Sequence, residues 1–439
     1  MFKKYTDAIN WLMYEMPKTT KGVFKDGESL KRGQYLMEKL GSPHLKLKAV
    51  HVSGTSGKGG VTSYAASLLH QQGFKVGHNL SPHAKTINER IQINNQPTSD
   101  DELLNLINQI QPVIVEIRQT DIGRPSYFET VTTMAMLHFC QQNVDYAVIE
   151  VGMGGTFDTT NLISPAGKVC IINKIAKDHT KVLGDNLVDI AEQKAGIIKS
   201  KNTVIALKQS EDINQVFINK ASFENANLNL IDGDEINLSS IGLDGTDFWF
   251  NNKEYHLKMI GRHNAINFIL ALEAVHYLAK KDAWTFDENK TDIAENLILP
   301  FRFEVNELPA KTFIFDGAHN LDKISAFISA FSQLKLSKND VDLVFGYSRT
   351  DDIKDVAELL AKHFSTIIVT PFNFASADLR NQALDFNTIN SAFENFGAQL
   401  IEAGDVNSAV RILTKSAKKY VVVLGSFYLC DQVYRELLA

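Results

Sequence analysis

The chain has 439 residues, of which 44% are hydrophobic and 22% charged, so length and composition predict a soluble globular protein of two or three domains. The net charge of −6 argues against nucleic-acid binding by the protein as a whole. Three scattered cysteines form no disulfide or zinc pattern, and no apolar run suits a signal peptide or a membrane span, so we expect a cytoplasmic protein.

Two helices are expected first, between residues 5 and 40, because apolar residues recur there at helical spacing. Apolar strand-like runs then alternate with helical segments as far as residue 207, which predicts a mostly parallel α/β sheet. The predicted strands are 47–52, 74–80, 145–151, 168–173 and 203–207, and the predicted helices are 61–71, 100–118, 128–142 and 187–198.

The pattern changes between residues 226 and 260, where short polar-alternating pieces predict antiparallel hairpins. A helix is expected over 263–278, and Pro300 then interrupts the chain. Strand–helix alternation resumes afterwards and predicts a second, smaller α/β domain. Its predicted strands are 312–316, 341–345, 366–370 and 420–424, and its predicted helices are 322–334, 353–363 and 404–416. We therefore divide the chain into an N-terminal domain, 1–297, and a C-terminal domain, 298–439.

A glycine-rich loop with one lysine, residues 54–60, joins the strand 47–52 to a predicted helix. Its glycines let backbone N–H groups converge on an anion, and the helix N-terminus and the Lys58 ammonium add positive charge. The loop thus predicts a phosphate site, in preference to a tight turn with a solvated lysine. Gly59 and Gly60 stand where a P-loop normally has the Ser or Thr that binds Mg²⁺.

Polar residues also follow several predicted strands. Glu150 ends the strand 145–151 at the edge where open α/β sheets bind ligands, and a carboxylate beside a nucleotide suits Mg²⁺. His179 follows the next strand, and the polar segment 316–320 closes the strand 312–316. The ordinary alternatives are a turn cap for Glu150, a hydrogen-bonded loop residue for His179, and a plain turn for 316–320.

Two basic residues complete this set. Lys194 lies in a predicted helix, where the ordinary reading is a lysine on a solvated face. Arg302 follows Pro300 at the predicted domain break, where it could reach across a cleft, and its ordinary reading is a surface arginine. Sequence position alone leaves these alternatives open.

The ordered motifs resemble those of the Mur ligase superfamily and, within it, of the folylpolyglutamate synthase/dihydrofolate synthase family. They extend over nearly the whole chain, which makes the resemblance very specific. The matching segments are 51–59, 81–83, 88–90, 128–130, 149–161, 178–184, 193–197, 261–267, Arg302, 316–320 and 425–428.

The resemblance implies an ATP-dependent amide ligase that phosphorylates a carboxylate and lets the amine of L-glutamate attack the acyl phosphate. The implied substrates are L-glutamate and a folate or dihydropteroate, and the implied cofactors are ATP and two Mg²⁺ ions. The segment 1–297 is then a P-loop ATPase domain of the Mur-ligase central type, and 298–439 is a Rossmann-like Mur-ligase C-terminal domain. We expect a monomer with small-molecule substrates and without nucleic-acid or membrane partners.

The resemblance also implies roles for individual residues. The implied ATP-binding residues are Gly54, Thr55, Ser56, Gly57, Lys58, Gly59, Gly60, Asn267, Arg302, Asp316 and His319. The implied metal ligands are Glu150, His179, Ser81 and Lys194, the last as a carbamate that helps to hold the second Mg²⁺. Lys58, Lys194 and His179 are the expected catalytic residues, and the expected substrate contacts are Ser81, Pro82, His83 and Phe128.

The chain departs from the family pattern at several positions. Gly60 replaces the loop Ser or Thr, Ser56 replaces Asn, Thr156 and Phe157 replace Arg-Leu, Phe301 replaces Gly, and the segment 349–352 lacks the family's lysine. Because Mg²⁺ can take water in place of a neutral hydroxyl, we expect Gly60 to weaken one Mg²⁺ site without abolishing it.

Two alternative functions stay open on these residues. One is a Mur-like ligase that acts on another carboxylate and amino acid, although the segments 81–83 and 88–90 favour a folate. The other is a nucleotide-binding protein with a weakened Mg²⁺ site and no ligase activity, suggested by Gly60 and the altered segment 349–352. The joint presence of the other motif residues argues against this second alternative.

Overall fold

The computed structural model describes residues 1–16, 27–163, 167–177, 180–373 and 382–438. The chain forms two compact units that alternate along the sequence. The first unit contains residues 1–236 and 266–297, and the second contains residues 237–265 and 298 onward. Residues 237–265 thus group with the C-terminal part of the chain, while the domain limits 1–297 and 298–439 stay a prediction.

The first unit is built on a sheet that has eight strands among the described residues, in the order β4-β3-β2-β5-β1-β6-β7-β8. The strands are β1 (Ala49–Ser53), β2 (Val76–Asn79), β3 (Ile91–Ile93), β4 (Gln96–Pro97), β5 (Tyr146–Glu150), β6 (Val169–Ile172), β7 (Thr203–Leu207) and β8 (Asn227–Ile231). The pairings from β2 to β8 are parallel, and β3 and β4 add an antiparallel edge. The predicted mostly parallel sheet is confirmed.

Strand β8 differs from our prediction that hairpins begin near residue 226. It pairs parallel with β7 and extends the main sheet, so that prediction is wrong for these residues. Its sequence, Asn-Leu-Asn-Leu-Ile, alternates polar and apolar side chains, whereas β1, β5, β6 and β7 are buried along their whole length. An edge strand needs no continuous apolar run, and this accounts for the misreading.

The helices of the first unit include the two predicted before residue 40. They are α1 (Tyr5–Asn10), α2 (Glu28–Lys39), α3 (Lys58–Gln71), α4 (Asp100–Ile117), α5 (Tyr127–Gln141), α6 (Thr180–Leu183), α7 (Leu187–Ala195), α8 (Glu211–Phe223), α9 (Arg262–Lys281), whose first residues group with the second unit, and α10 (Asp292–Glu295). One apolar cluster joins α2, α4 and α5 to β5, and another joins α7 and α8 to β6 and β7. These clusters fix the strand ends that carry the candidate site.

The second unit contains two sheets. A three-stranded antiparallel sheet, β9 (Asn237–Gly242), β10 (Gly245–Phe250) and β11 (Lys253–Leu257), confirms the predicted hairpins. The larger sheet has six strands among the described residues, in the order β12-β13-β17-β14-β15-β16, and only β12 pairs antiparallel. Its strands are β12 (Glu304–Glu307), β13 (Thr312–Asp316), β14 (Val341–Phe345), β15 (Thr366–Val369), β16 (Gln399–Glu402) and β17 (Tyr420–Leu424).

The helices of the second unit confirm a second α/β fold. They are α11 (Leu321–Gln333), α12 (Ile353–His363), α13 (Phe386–Phe393), α14 (Val406–Lys415) and α15 (Phe427–Leu438). A buried cluster rich in phenylalanine, including Phe327, Phe331, Phe345 and Phe364, packs between α11, α12 and the sheet. Among the helices that the structure describes, none is long and apolar enough to cross a membrane.

Candidate active site

The glycine-rich loop lies between β1 and α3, as the sequence predicts. Gly54 and Gly57 have φ angles of 138° and 81°, a left-handed region that favours glycine, and α3 begins at Lys58 directly after Gly57. Thr55 fastens the loop to the chain after β6, because its N–H donates to Lys174 O at 2.8 Å and its hydroxyl donates to Ala176 O at 3.0 Å. The N-terminus of a 14-residue helix thus faces a rigid loop, a geometry suited to anion binding.

Two lysine side chains converge on this loop. Lys58 Nζ donates to the carbonyl oxygen of Gly54 at 3.1 Å, and Lys194 Nζ, from the last turn of α7, donates to the same oxygen at 2.8 Å. Lys194 is only 4% exposed, so it is not a lysine on a solvated face. The loop therefore combines the N-terminus of α3 with two amino groups.

Two buried asparagines contact the same loop from behind. Asn173 follows β6, and its Nδ2 donates to Asn267 Oδ1 in α9 at 2.7 Å. A Cβ atom on Gly60 would lie 2.7 Å from Asn267 Nδ2, so the carboxamide of Asn267 fills the space beside Gly60. Asn173 was not among the predicted site residues, although its position just after a buried strand could have indicated it.

Glu150 and Ser81 meet at the ends of β5 and β2. Glu150 is 2% exposed, and its Oε2 accepts the backbone N–H of Ser81 at 2.7 Å. Asn79 holds the two strand ends together, because its Oδ1 accepts the backbone N–H of Glu150 at 2.9 Å. Two of the four predicted metal ligands thus lie side by side, and another, His179, lies outside the described residues.

The donors at this place fit Mg²⁺ better than a transition metal. A carboxylate and a hydroxyl are oxygen ligands, and Mg²⁺ retains several waters when few protein oxygens are offered. In the described parts of the chain, no three His, Cys, Asp or Glu side chains converge to form a metal site. Glu150 and Ser81 therefore fit the partial, water-rich coordination that Mg²⁺ takes beside a phosphate.

The segment after Ser81 is held by the motif 88–90. The carboxylate of Glu89 accepts the backbone N–H groups of residues 84–86 at 2.7, 3.0 and 2.9 Å. Arg90 Nε donates to His83 Nδ1 at 2.8 Å, and burial and then the positive charge of Arg90 lower the pKa of His83 to about 3. His83 is therefore a neutral imidazole with its hydrogen on Nε2. Pro82 is exposed and follows a cis peptide bond.

Phe128 lies in the first turn of α5, where Ser126 caps the helix. Its ring rests on Gly152, so closely that a Cβ atom there would overlap the ring. The next residue, Glu129, is held by Arg32 through two hydrogen bonds of 2.9 and 2.8 Å in a buried ion pair. Phe128 is thus fixed between α5 and the loop that follows Glu150.

The loop after Glu150 also borders a cavity of about 270 Å³. Its wall combines the apolar side chains of Met153, Phe157, Val182 and Leu183 with polar surface, to which Gln193 from α7 contributes. The neighbouring residue, Thr156, bonds to α7 through its N–H and hydroxyl, which both donate to the carbonyl oxygen of Gln193 at 2.9 and 3.1 Å. Thr156 and Phe157, which both differ from the family pattern, therefore have different roles. Thr156 joins its loop to α7, and Phe157 lines the cavity.

In the second unit, Asp316 ends β13. Its carboxylate accepts the backbone N–H groups of Phe303 and Ala318, both at 2.8 Å. Burial raises the pKa of Asp316 to about 6, and these hydrogen bonds together with Arg302 and Lys323 oppose that shift. The pKa of Asp316 therefore lies above that of an ordinary aspartate.

Arg302 and His319 both lie beside the Phe427 ring. The Arg302 guanidinium is 5.1 Å from the ring centroid, and the His319 ring is 6.3 Å from it. His319 Nδ1 lies 2.8 Å from Gly317 O, and its Nε2 lies 3.0 Å from Lys323 Nζ. Because Lys323 can only donate, His319 is neutral and carries its hydrogen on Nδ1. The structure brings the three predicted residues of this unit into one neighbourhood, and Lys323 is a further cation that sequence reasoning missed.

The surroundings of Phe301 explain how phenylalanine can replace the glycine of the family pattern at this position. Its φ angle is 55°, the left-handed region in which a glycine is unstrained. Its side chain is fully buried, with ring centroids 5.8 Å from Phe315 and 5.9 Å from Tyr434. Apolar burial thus offsets the backbone strain.

Two family models match the chain: the Mur ligase middle domain over residues 52–275 and the Mur ligase, glutamate ligase domain over residues 301–427. The fold, the strand–loop–helix segment and these matches agree, and the chain belongs to the Mur ligase family. The resemblance and the fold class inferred from the sequence are confirmed.

Relatives that are similar over the whole chain include folate enzymes. A dihydrofolate synthase/folylpolyglutamate synthase of Bacillus subtilis (strain 168) is 29% identical over 448 residues and covers 100% of both chains. A folylpolyglutamate synthase of Mycobacterium tuberculosis, solved with ADP and AMPPCP, superposes with a TM-score of 0.84 at 25% identity over 99% of each chain. A folylpolyglutamate synthase–AMPPCP–folate complex superposes with a TM-score of 0.82 at 26% identity, covering 99% of this chain and 100% of that chain.

Proposed function

We propose that this chain is an ATP-dependent ligase that adds L-glutamate to a folate, to dihydropteroate, or to both, through an acyl phosphate. The observation that carries the proposal is the phosphate loop on which Lys58 and Lys194 converge. Membership of the Mur ligase family and the full-length likeness to folate ligases support the choice of reaction and substrates.

The nucleotide is assigned to the loop 54–60. Backbone N–H groups and the α3 N-terminus suit its phosphates, and Lys58 supplies a fixed cation. The loop residues proposed to bind ATP are Gly54, Thr55, Ser56, Gly57, Lys58, Gly59 and Gly60. Asn267 is proposed as a nucleotide contact in the first unit, and Arg302, Asp316 and His319 in the second.

Glu150 and Ser81 are the proposed Mg²⁺ ligands in the described residues, with His179 as a third. Mg²⁺ supplies neutralisation of the charge on the phosphoryl group during its transfer. The protein places the oxygen ligands beforehand, because Ser81 N–H fixes the Glu150 carboxylate. Lys194 is proposed to carry a carbamate, whose remaining N–H can keep the bond to Gly54 O. Intact-mass spectrometry in bicarbonate buffer, compared with Lys194→Arg, tests this modification.

The acceptor is assigned to the region of Ser81, Pro82, His83 and Phe128. A neutral His83 offers an Nε2–H donor that keeps its hydrogen throughout the physiological pH range. The nearby cavity of about 270 Å³ has a mixed wall of apolar side chains and polar groups, which suits a flat heterocycle that also carries hydrogen-bonding atoms. We further propose a cytoplasmic monomer without nucleic-acid or membrane partners, and light scattering of the purified chain tests the monomer.

The test compares acceptors side by side. The purified chain is incubated with ATP, Mg²⁺ and L-glutamate, and with dihydropteroate, tetrahydrofolate or no acceptor, while ADP and product mass are measured. We expect ADP formation only with an acceptor, and a product heavier by one glutamyl residue. Activity with neither acceptor, but with another carboxylate, would support a Mur-like ligase of different specificity. ATP binding without acceptor-dependent ADP formation would support a nucleotide-binding protein.

A further inference from the structure

Two buried carboxamides, Asn173 and Asn267, lie directly behind the phosphate loop. Asn173 Nδ2 donates to Asn267 Oδ1 at 2.7 Å. The side chains are 2% and 4% exposed, so water does not compete for this hydrogen bond. This hydrogen bond connects the end of β6 to α9.

The surroundings of Asn173 determine which way both carboxamides face. Asn173 Oδ1 accepts the backbone N–H of Lys174 at 2.8 Å, which only the oxygen end of the side chain can do. The NH₂ end of Asn173 therefore points to Asn267, and Asn267 must present its own oxygen in return. The NH₂ group of Asn267 is thereby directed to Gly60.

Gly60 provides the space that this arrangement requires. A Cβ atom on Gly60 would lie 2.7 Å from Asn267 Nδ2 and 3.4 Å from its Cγ. Gly60 lies inside α3, where glycine is less favourable than most residues, so the backbone does not call for it. Gly57 meets the same pair, because a Cβ atom there would overlap Asn173 Nδ2 and Asn267 Oδ1. Glycine at position 60 is therefore explained by the carboxamide beside it.

We propose that Asn173 is a positioning residue of the nucleotide site, that it acts by orienting Asn267, and that Gly60 makes room for the oriented carboxamide. The Asn267 NH₂ group then stands at the first turn of α3, where a Ser or Thr side chain would otherwise lie. It places a hydrogen-bond donor beside the loop at the position where the sequence lacks a hydroxyl. This inference rests on the proposed function, because it assumes that the loop binds nucleotide.

Asn173→Ala tests the orienting role. We expect the Kd of AMPPCP, measured by calorimetry on the full chain, to rise about fivefold to tenfold, the effect of one hydrogen bond. The KM of the acceptor should change less than about twofold, since one hydrogen bond to the nucleotide site is lost and none to the acceptor. The matched control is Asn202→Ala, which removes another buried asparagine of the same unit, whose Oδ1 accepts Lys199 N–H at 3.0 Å. The control should lower the thermal midpoint and leave the Kd unchanged.

A double-mutant cycle tests the link to Gly60. Gly60→Ala alone should displace the oriented carboxamide and raise the Kd of AMPPCP about fivefold, but it should add less than about twofold in the Asn173→Ala background. If Asn173→Ala does not fold, Asn267→Ala takes its place in the cycle.

Additive effects in this cycle, or an unchanged Kd in Asn173→Ala, overturn the inference while leaving the proposed function intact. A wild-type chain that binds no AMPPCP overturns the proposed function itself.

Discussion

Lys58 and Lys194 reach the same backbone oxygen, that of Gly54, from two different helices. Lys58 belongs to a motif whose spacing predicts a phosphate site, so its proposed role could be predicted from the sequence. Lys194 lies in a helix of ordinary composition, and only its burial to 4% exposure distinguishes it from a solvated lysine. Its place beside the loop depends on the packing of α7, which no local pattern encodes.

Lys58→Ala should remove ATP turnover. The substitution deletes a fixed cation from the phosphate loop, and losses of about 100-fold or more in kcat are typical when such electrostatic groups are removed. The measurement is acceptor-dependent ADP formation at saturating ATP. The control is Lys46→Ala, at an exposed lysine outside the loop, which should retain wild-type turnover. Retained ligase activity in Lys58→Ala contradicts the phosphate-loop assignment.

Two substitutions at Gly60 test whether the missing hydroxyl weakens a Mg²⁺ site. Gly60→Ser and Gly60→Ala crowd Asn267 equally, but only serine adds a hydroxyl that can bind Mg²⁺. We expect Gly60→Ser to reach half-maximal activity at a lower Mg²⁺ concentration than Gly60→Ala. Equal half-saturation in both variants means that a hydroxyl at this position is not a ligand.

At the scale of elements, buried parallel strands were easy to predict and edge strands were not. The strands β1, β5, β6 and β7 read as continuous apolar runs because both of their faces are covered. The edge strands β8 and β12 carry exposed polar residues and were missed or misplaced. Helix α8 was also missed, although Ile213, Phe217 and Ala221 recur at every fourth position. The site was predictable to the extent that its residues end the buried strands.

The turn at Phe301 carries a prediction about stability. Phe301→Gly relieves a left-handed conformation that costs about 1 kcal/mol, but it removes a buried ring whose loss costs about 3 kcal/mol or more. We therefore expect a net decrease of about 2 kcal/mol in the free energy of unfolding. The urea midpoint is followed through Trp249, which lies in the second unit, after Trp11 and Trp284 of the first unit are replaced by Phe.

The control for this turn is Phe301→Leu, which keeps the backbone conformation and part of the burial. It should lie between the wild type and Phe301→Gly. A Phe301→Gly midpoint equal to or above that of the wild type shows that backbone strain outweighs the buried ring.

For the whole molecule, the α/β character could be predicted from the sequence, but the grouping of residues into the two units could not. The α/β character of both parts followed from strand–helix alternation, which is a local signal. The grouping of residues 237–265 with the C-terminal part depends on contacts distant in sequence, so no local pattern contained it. The place of Asn173 after β6 is visible in the sequence, but its pairing with Asn267 is not, since that partner lies in α9, far along the chain.

Two buried histidines, His51 and His78, and the partly buried His83 make the free energy of unfolding depend on pH in the acid range. Burial lowers the pKa of His51 well below its ordinary value and that of His78 to about 4, and burial with Arg90 lowers that of His83 to about 3. In the unfolded chain these groups return to a pKa of about 6.5, so the unfolded state binds more protons below that pH. The stability that depends on keeping these histidines neutral is therefore fully present above pH 6.5. The free energy of unfolding falls as the pH decreases from there towards 4.

His78→Leu tests this dependence at one position. His78 lies in β2, and its Nδ1 has no hydrogen-bond partner among the described residues, so the substitution removes a titrating group from a buried strand. We expect the urea midpoint of the variant to fall less steeply than that of the wild type between pH 7 and 5. Parallel curves for the two proteins contradict a neutral, acid-sensitive His78.

In the proposed reaction, a carboxylate is activated by phosphoryl transfer from ATP before glutamate attacks. The acceptor is prepared with ¹⁸O in its reacting carboxylate and turned over once with ATP, Mg²⁺ and L-glutamate, and the released phosphate is analysed by mass spectrometry. An acyl phosphate requires one carboxylate oxygen to leave with the phosphate, so we expect phosphate carrying a single ¹⁸O. Unlabelled phosphate, released together with the glutamyl product, would contradict an acyl phosphate intermediate.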